Sequence, residues 1–192
     1  MARRTRSRAG ALLLATAVLL LIFFVGRMLS PAPSMRLLLI NVGTVGAILL
    51  AVARFWLWRL AVGRHGASLL LWSALLGLAG ELMLFSWLGQ EYLWMGVAVF
   101  GYVIDVTLTL AALVLLSIGL LRARLVSVGV AAIGLASAAL GLVRLLARGQ
   151  LGLVPSLTAL GLEIVFLFGV AASLLVRRTL TTVADAPPEP VA

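Results

Sequence analysis

Six long apolar runs occupy almost the whole of this 192-residue chain, and they restrict its fold more than any other feature. An apolar run of about 18 residues or more can cross a bilayer as a helix, because about 20 residues span a hydrocarbon core about 30 Å thick. Hydrophobic residues make up 64% of the chain and charged residues only 11%. Soluble domains have about 45–50% apolar and about 25% charged residues, so this composition excludes a water-soluble fold.

We therefore predict an all-α fold, a bundle of six transmembrane helices without a soluble domain, because closed helices satisfy the backbone in lipid. The transmembrane domain is predicted to cover residues 1–178. Residues 179–192 are predicted to form a disordered cytoplasmic tail, since they are rich in proline and contain little that could pack. The predicted spans are about 9–28, 36–58, 67–88, 92–121, 124–146 and 153–176.

The basic residues, all of them arginines, predict how the bundle is oriented. If the ends of the runs alternate between the two sides, eleven arginines fall on one side and four on the other. The cytoplasmic side of a membrane protein carries the excess of basic residues, so both termini are predicted to lie in the cytoplasm. The four on the other side are Arg27, Arg36, Arg144 and Arg148; Arg54 is counted among the eleven cytoplasmic anchors.

The basic start followed by an apolar run also fits a secretory signal peptide. We favour a retained first helix, because this run is longer than a signal core and its small-residue site near Ser30 is followed by Pro33. The use of arginine without lysine suggests a GC-rich bacterial genome. We therefore expect the protein in the bacterial inner membrane.

A net charge of +9 would suggest nucleic acid as the partner of a soluble protein. Here the arginines lie at the ends of apolar runs, where they reach toward lipid headgroups, so we expect no nucleic-acid binding. Other subunits of a membrane complex are further candidate partners. The N-terminal arginines expected to contact anionic headgroups are Arg3, Arg4, Arg6 and Arg8.

Small residues spaced four apart mark candidate helix-packing faces. The fifth run contains two such pairs, Gly134 with Ala138 and Ser137 with Gly141, which allow the backbones of neighbouring helices to approach closely. We predict that these faces pack helices within one chain. Dimerisation of two chains is the alternative.

Three acidic residues, Glu81, Asp105 and Glu163, lie within apolar runs. A carboxylate at the bilayer centre costs about 2.5–3.5 kcal/mol on insertion scales, so such residues usually face the bundle interior or a wet cavity. Together with nearby polar residues they are predicted to converge in the outer half of the membrane. The candidate cluster is Asn41, Glu81, Asp105, Glu163, Arg27 and Arg144.

Two interpretations of this cluster compete. In the first, the cluster lines a cavity that binds a small cationic or polar solute or relays protons. In the second, Glu81 and Glu163 are neutral, or pair with Arg27 and Arg144, and only fix the register of the helices. Intramembrane hydroxyls are expected to bond the carbonyl one turn back in their own helix. The hydroxyls in question are those of Ser73, Thr107, Thr109 and Ser117.

We find no residues that indicate catalysis, a metal site or a cofactor. The chain has no cysteine, which excludes disulfides and thiolate ligands, and its one histidine, His65, cannot form a metal site alone. We therefore expect no enzymatic activity. The sequence favours a structural or accessory subunit of a membrane complex, and the alternative is a small transporter or solute-binding protein that uses the intramembrane carboxylates.

Overall fold

The chain forms six helices in a computed structural model, which describes residues 2–29, 33–90, 95–147 and 154–184. No strand occurs in these ranges, so the described chain is all-α as predicted. The helices are α1 (Ala2–Met28), α2 (Pro33–Ala61), α3 (Ala67–Gln90), α4 (Met95–Arg122), α5 (Val128–Leu146) and α6 (Val154–Ala184).

Five of the helices are long and apolar enough to cross a membrane, so the protein is a multi-pass helical membrane protein. In α3 the apolar part with described side chains, Ala67–Leu82, is shorter. The five spanning segments are Arg4–Gly26, Asn41–Ala61, Val103–Arg122, Val128–Leu146 and Leu157–Val176.

Two helices extend beyond the predicted spans by more than five residues. Helix α1 begins at Ala2, so the basic N-terminal residues continue the helix that carries the first apolar run. Helix α6 continues to Ala184, past residue 179, where the sequence predicts the start of a tail. Residues 185–192 of that tail, like residues 92–94 and 153 of two predicted spans, lie outside the described ranges.

The six helices form a closed ring in which each helix packs against its neighbours in sequence and α1 packs against α6. Neighbouring helices are antiparallel. On α3 and α4, for example, Leu70 lies beside Gly119, whereas Gly80 lies beside Asp105 nearer the start of α4. The ring closes between Gly10 near the start of α1 and Leu175 near the end of α6. Both ends of the described chain therefore lie at the same end of the ring.

That end, which we call the basic end, also contains the α2–α3 and α4–α5 connections. The first is a tight turn in which Gly63 and Gly66 have φ angles of 81° and 94°, a region that glycine adopts without strain. On α2 nearby, the Trp56 ring lies 5.7 Å from the Arg8 guanidinium and 5.6 Å from that of Arg59. These distances are within the range of cation–π attraction, which links α1 to α2 at the basic end.

The small residues of α5 pack between helices, as the sequence predicts. Gly134, Ser137, Ala138 and Gly141 are all buried. A Cβ atom at Gly134 would overlap Ser117 on α4 and lie 2.8 Å from the Phe166 ring on α6. The prediction that this face packs helices within one chain is thus confirmed.

Candidate functional site

A cavity of about 380 Å³ lies inside the ring, toward the end opposite the basic end. Four helices line it: α1, α4, α5 and α6. Its wall is largely apolar but includes two carboxylates, two hydroxyls and a guanidinium, from Asp105, Glu163, Thr109, Ser137 and Arg144. An apolar wall with a few converging polar groups is the usual composition of a small-molecule site.

Asp105 and Thr109 bring the polar face of α4 to the cavity. The two residues lie one helical turn apart, and the Thr109 hydroxyl donates to Asp105 Oδ1 at 3.4 Å. Gly80 of α3 packs against both, since a Cβ atom there would lie 2.9 Å from Thr109 Oγ1 and 3.4 Å from Asp105 Oδ1. Asp105 therefore lies between the cavity and α3, where it is close to Gly80, the neighbour of Glu81 in the chain.

Glu163 and Ser137 form part of the opposite wall. The Ser137 hydroxyl donates to the Ala159 carbonyl oxygen at 2.8 Å and joins α5 to α6 one turn before Glu163. This bond between helices fixes the wall that carries the Glu163 side chain, which is half-buried on the lining of the cavity.

Arg54 is the largest fully buried side chain of the described residues, with an exposed fraction of 0%. None of its three guanidinium nitrogens has a hydrogen-bond partner among the residues that the structure describes. The guanidinium packs against α3 at Gly77, where a Cβ atom would overlap Arg54 Nη1. The glycine thus provides the space that the guanidinium occupies.

Electrostatic attraction connects Arg54 to the intramembrane acids. Arg54 interacts more strongly with Glu163 and less strongly with Glu81, one turn beyond Gly77 on the same face of α3. Glu81, with an exposed fraction of 8%, is attracted by Arg54 but repelled by the like-charged carboxylates of Asp105 and Glu163. The four side chains form one electrostatic group, which we call the buried charge cluster: Arg54, Glu81, Asp105 and Glu163.

The structure brings together part of the predicted cluster. Asp105, Glu163 and Arg144 line the cavity, and Glu81 lies beside it in the buried charge cluster. Asn41 is exposed on α2 and does not line the cavity. The side chain of Arg27 lies outside the part of the chain that the structure describes.

Arg54 is predicted from the sequence to be an interfacial anchor, and this prediction is wrong because the side chain is completely buried. The misinterpretation comes from its position near a run of aromatic residues and Arg59, which is typical of a membrane interface. The helical spacing of α2 indicates that Arg54 is buried. Arg54 lies on the same face as Gly43, Ala47, Leu50, Leu57 and Ala61, a small and apolar face that packs inward.

The hydroxyls divide into two groups. Thr107 and Ser117 donate to carbonyl oxygens one turn back, at Val103 and Leu113, as predicted. The same prediction is wrong for Ser73, which donates across the α3–α4 interface to the Ala112 carbonyl oxygen at 2.7 Å. It is also wrong for Thr109, whose partner is the Asp105 carboxylate.

Over the described ranges, no group of three or more His, Cys, Asp or Glu residues could hold a metal ion. No protein-family model, curated protein or solved structure matches this chain. The described chain is a multi-pass helical membrane protein with a largely apolar cavity in its helix ring, and a few polar side chains line that cavity.

Proposed function

We propose that this protein binds a small polar solute in the cavity and carries it across the membrane. The observation that supports this function is the pair of carboxylates, Asp105 on α4 and Glu163 on α6, on the wall of one cavity. Each carboxylate costs free energy in a membrane, so acids in spanning helices commonly mark solute or ion pathways. A purely structural acid needs only a partner on a neighbouring helix, and it does not require a cavity.

The proposal includes an orientation. We propose that α3 is a sixth span, that both termini lie in the cytoplasm and that the protein resides in a bacterial inner membrane. Support comes from the basic end, where Arg64, Arg122 and Arg124 lie in or next to the two connections. The cavity then lies toward the outer face. Anionic headgroups would contact the arginines at the start of α1: Arg3, Arg4, Arg6 and Arg8.

The test is a binding screen with the purified full-length protein in lipid nanodiscs. The panel contains amines, amino acids, sugars and carboxylates of low molecular weight, and the measurement is the thermal unfolding midpoint. A solute that binds only the folded protein raises that midpoint. The function requires at least one panel member to do so for the wild type and to lose its effect in Asp105→Asn and Glu163→Gln.

Asn41→Ala is the matched control, because Asn41 is polar and lies in a spanning helix but is exposed away from the cavity. This variant should bind like the wild type. A radiolabelled form of the bound solute is then offered to proteoliposomes, where accumulation indicates transport. If no panel member stabilises the wild type, or if Asn41→Ala loses binding together with the two cavity variants, the proposal is wrong.

A role as an accessory subunit is the second candidate. The connections at residues 62–66 and 123–127 are short, so the described chain presents most of its surface along the helices, where another membrane protein could pack. We expect no enzymatic activity in either case. Copurification in mild detergent, followed by mass spectrometry, tests this role. A stoichiometric partner supports it, and recovery of the chain alone contradicts it.

A further inference from the structure

We infer that the solute is a small organic cation with a single positive charge, and that Arg54 is the internal cation that sets this preference. The inference rests on the proposed function, because it names the substrate class of the same cavity. Size, charge and the position of Arg54 support it separately.

The size of the cavity favours an organic solute. Its volume of about 380 Å³ is near the lower limit of small-molecule sites, which run from about 300 to about 1,000 Å³. A bare metal ion would require several ligands converging on one point, and the part of the chain described here contains no such group. The apolar lining, with residues such as Leu110, Leu113 and Leu160, suits a short hydrocarbon portion.

The charge of the site favours one positive charge on the solute. Glu81, Asp105 and Glu163 contribute three carboxylates in and beside the cavity, and Arg54 and Arg144 contribute two guanidiniums. With all five of these side chains ionised, three negative and two positive charges give the described part of the site a net charge of −1. A monocation would neutralise the site, whereas a neutral solute would leave the charge uncompensated and a dication would reverse it.

Arg54 contributes to the net charge of the site without lining the cavity. Its buried guanidinium attracts Glu163, which lines the cavity, although Arg54 itself does not line it. The nitrogens of Arg54 make no hydrogen bond within the described residues, so the attraction acts through charge rather than through a fixed contact. A solute ammonium in the cavity and Arg54 would therefore compete for Glu163, and Glu81 remains to compensate Arg54 when the solute binds.

The first experiment uses the wild type and a matched four-carbon series. The probes are 1-aminobutane, 1-butanol, butanoate and 1,4-diaminobutane, which have similar hydrocarbon portions but differ in charge. The affinity for the nanodisc protein is measured from the thermal unfolding midpoint at increasing probe concentration. We expect 1-aminobutane to bind about tenfold more tightly than any other probe, because a hydrogen-bonded charge pair contributes that much or more. Equal binding of the alcohol or the diamine would overturn the inference.

The second experiment changes the internal cation. Arg54→Gln removes one positive charge, so the preferred probe should change from 1-aminobutane to 1,4-diaminobutane. Arg54→Lys keeps the charge and should keep the wild-type preference. If Arg54→Gln does not fold, Gly77→Ala displaces the guanidinium without removing it and should change the affinity for 1-aminobutane at least about threefold, as a shift of RT ln 3 in binding free energy. If Arg54→Gln folds and still prefers 1-aminobutane, or if Gly77→Ala is used in its place and binds 1-aminobutane like the wild type, Arg54 has no such role.

The two proposals fail in different ways. If the binding screen finds only neutral or anionic solutes that depend on Asp105 and Glu163, the solute-binding function stands and the monocation inference is wrong. If no solute of any charge depends on those carboxylates, the function itself is wrong, and the inference fails with it.

Discussion

Arg54 bears a positive charge inside a helix ring whose described surroundings are mostly apolar. The cost of burying a guanidinium is several kcal/mol unless opposite charges compensate it. Glu163 and Glu81 are the compensating charges, and Gly77 supplies the space. These residues depend on one another, since removing any of them leaves an uncompensated charge or a steric conflict in the interior.

Arg54→Leu should therefore lower the free energy of unfolding by about 3 kcal/mol, because removing the buried cation leaves the charges of Glu81 and Glu163 uncompensated. The double variant Arg54→Leu, Glu163→Gln should recover part of this loss. Arg59→Leu is the matched control on the same helix, since Arg59 is exposed, and its effect should remain within about 1 kcal/mol. Unfolding in mixed micelles at increasing SDS fraction gives the three values. Equal losses for Arg54→Leu and Arg59→Leu would contradict the assignment.

Gly77→Ala should also destabilise the protein, by about 1–3 kcal/mol, because the new methyl group would overlap the Arg54 guanidinium. Gly161→Ala is the control. Gly161 lies in a helix as well, but a Cβ atom there has no neighbour within 4 Å. This variant should remain within about 1 kcal/mol of the wild type or gain from the better helix propensity of alanine. The same SDS titration measures the stability of both variants. If Gly77→Ala is as stable as Gly161→Ala, the close contact between Gly77 and the Arg54 guanidinium is wrong.

Residue type alone predicts part of the site. Asp105 and Glu163 can be identified from the sequence, because a carboxylate in an apolar run has to face inward. Asn41 is uncharged, so the membrane penalises its exposure less, and its type does not determine which way it faces. The burial of Arg54 can be predicted only from the face of α2 on which it lies, because its distance from the helix end suggests a membrane interface.

The helices are held to one another by close backbone approach and by a few hydrogen bonds that cross between them. Ser73 links α3 to α4 through the Ala112 carbonyl oxygen, and Ser137 links α5 to α6 through that of Ala159. Ser173, by contrast, donates to the Gly169 carbonyl oxygen within its own helix. Only bonds of the first kind resist the separation of helices.

Ser73→Ala should reduce stability by about 0.6 kcal/mol, with about 1.7 kcal/mol as the upper limit seen for hydrogen bonds between membrane helices. Ser173→Ala removes a hydroxyl that makes no bond between helices in the described structure, so its effect should be smaller. Paired SDS titrations compare the two variants. A larger loss for Ser173→Ala would contradict the prediction that the bond between helices contributes more to stability than the bond within a helix.

The apolar runs predict the presence of the six described helices well, but they predict the first and last residues of each helix less accurately. The predicted span at residues 124–146 ends with α5 at Leu146 but begins four residues too early, because Ser127 caps the helix by accepting from the Val130 amide. Hydropathy does not mark where α1 begins, since a helix that leaves the bilayer can continue through polar residues such as Arg4 and Arg6. Apolar character determines the length inside the membrane, and local hydrogen bonding determines where the helix ends.

Over the whole molecule, contacts between consecutive helices and the α1–α6 contact arrange the described chain as a ring. The cavity follows from this arrangement, since Phe23 of α1 and Asp105 of α4 line it from opposite positions in the ring. Hydropathy cannot predict the ring, because the order of helices in space depends on which faces pack together.

The proposed orientation predicts which positions are reached by an impermeant maleimide. The chain has no cysteine, so single cysteines can be introduced without a background. In intact cells the reagent should label Glu91→Cys and Gln150→Cys, which lie in the proposed outer connections. His65→Cys should be labelled only after the cells are opened. Labelling of Glu91→Cys and His65→Cys from the same side would mean that α3 does not cross the membrane.

The α1–α6 contact has a consequence for synthesis in the cell. During translation α1 enters the bilayer with α2 as its partner. The face around Gly10 stays uncovered until α6 is made, because the residue that contacts it, Leu175, lies near the end of α6. Until then that face has to be covered by lipid, by the insertion machinery or by a chaperone. A chain truncated before α6 would contain five helices and expose the face of α1 around Gly10, and we expect membrane proteases to degrade it faster than the finished protein.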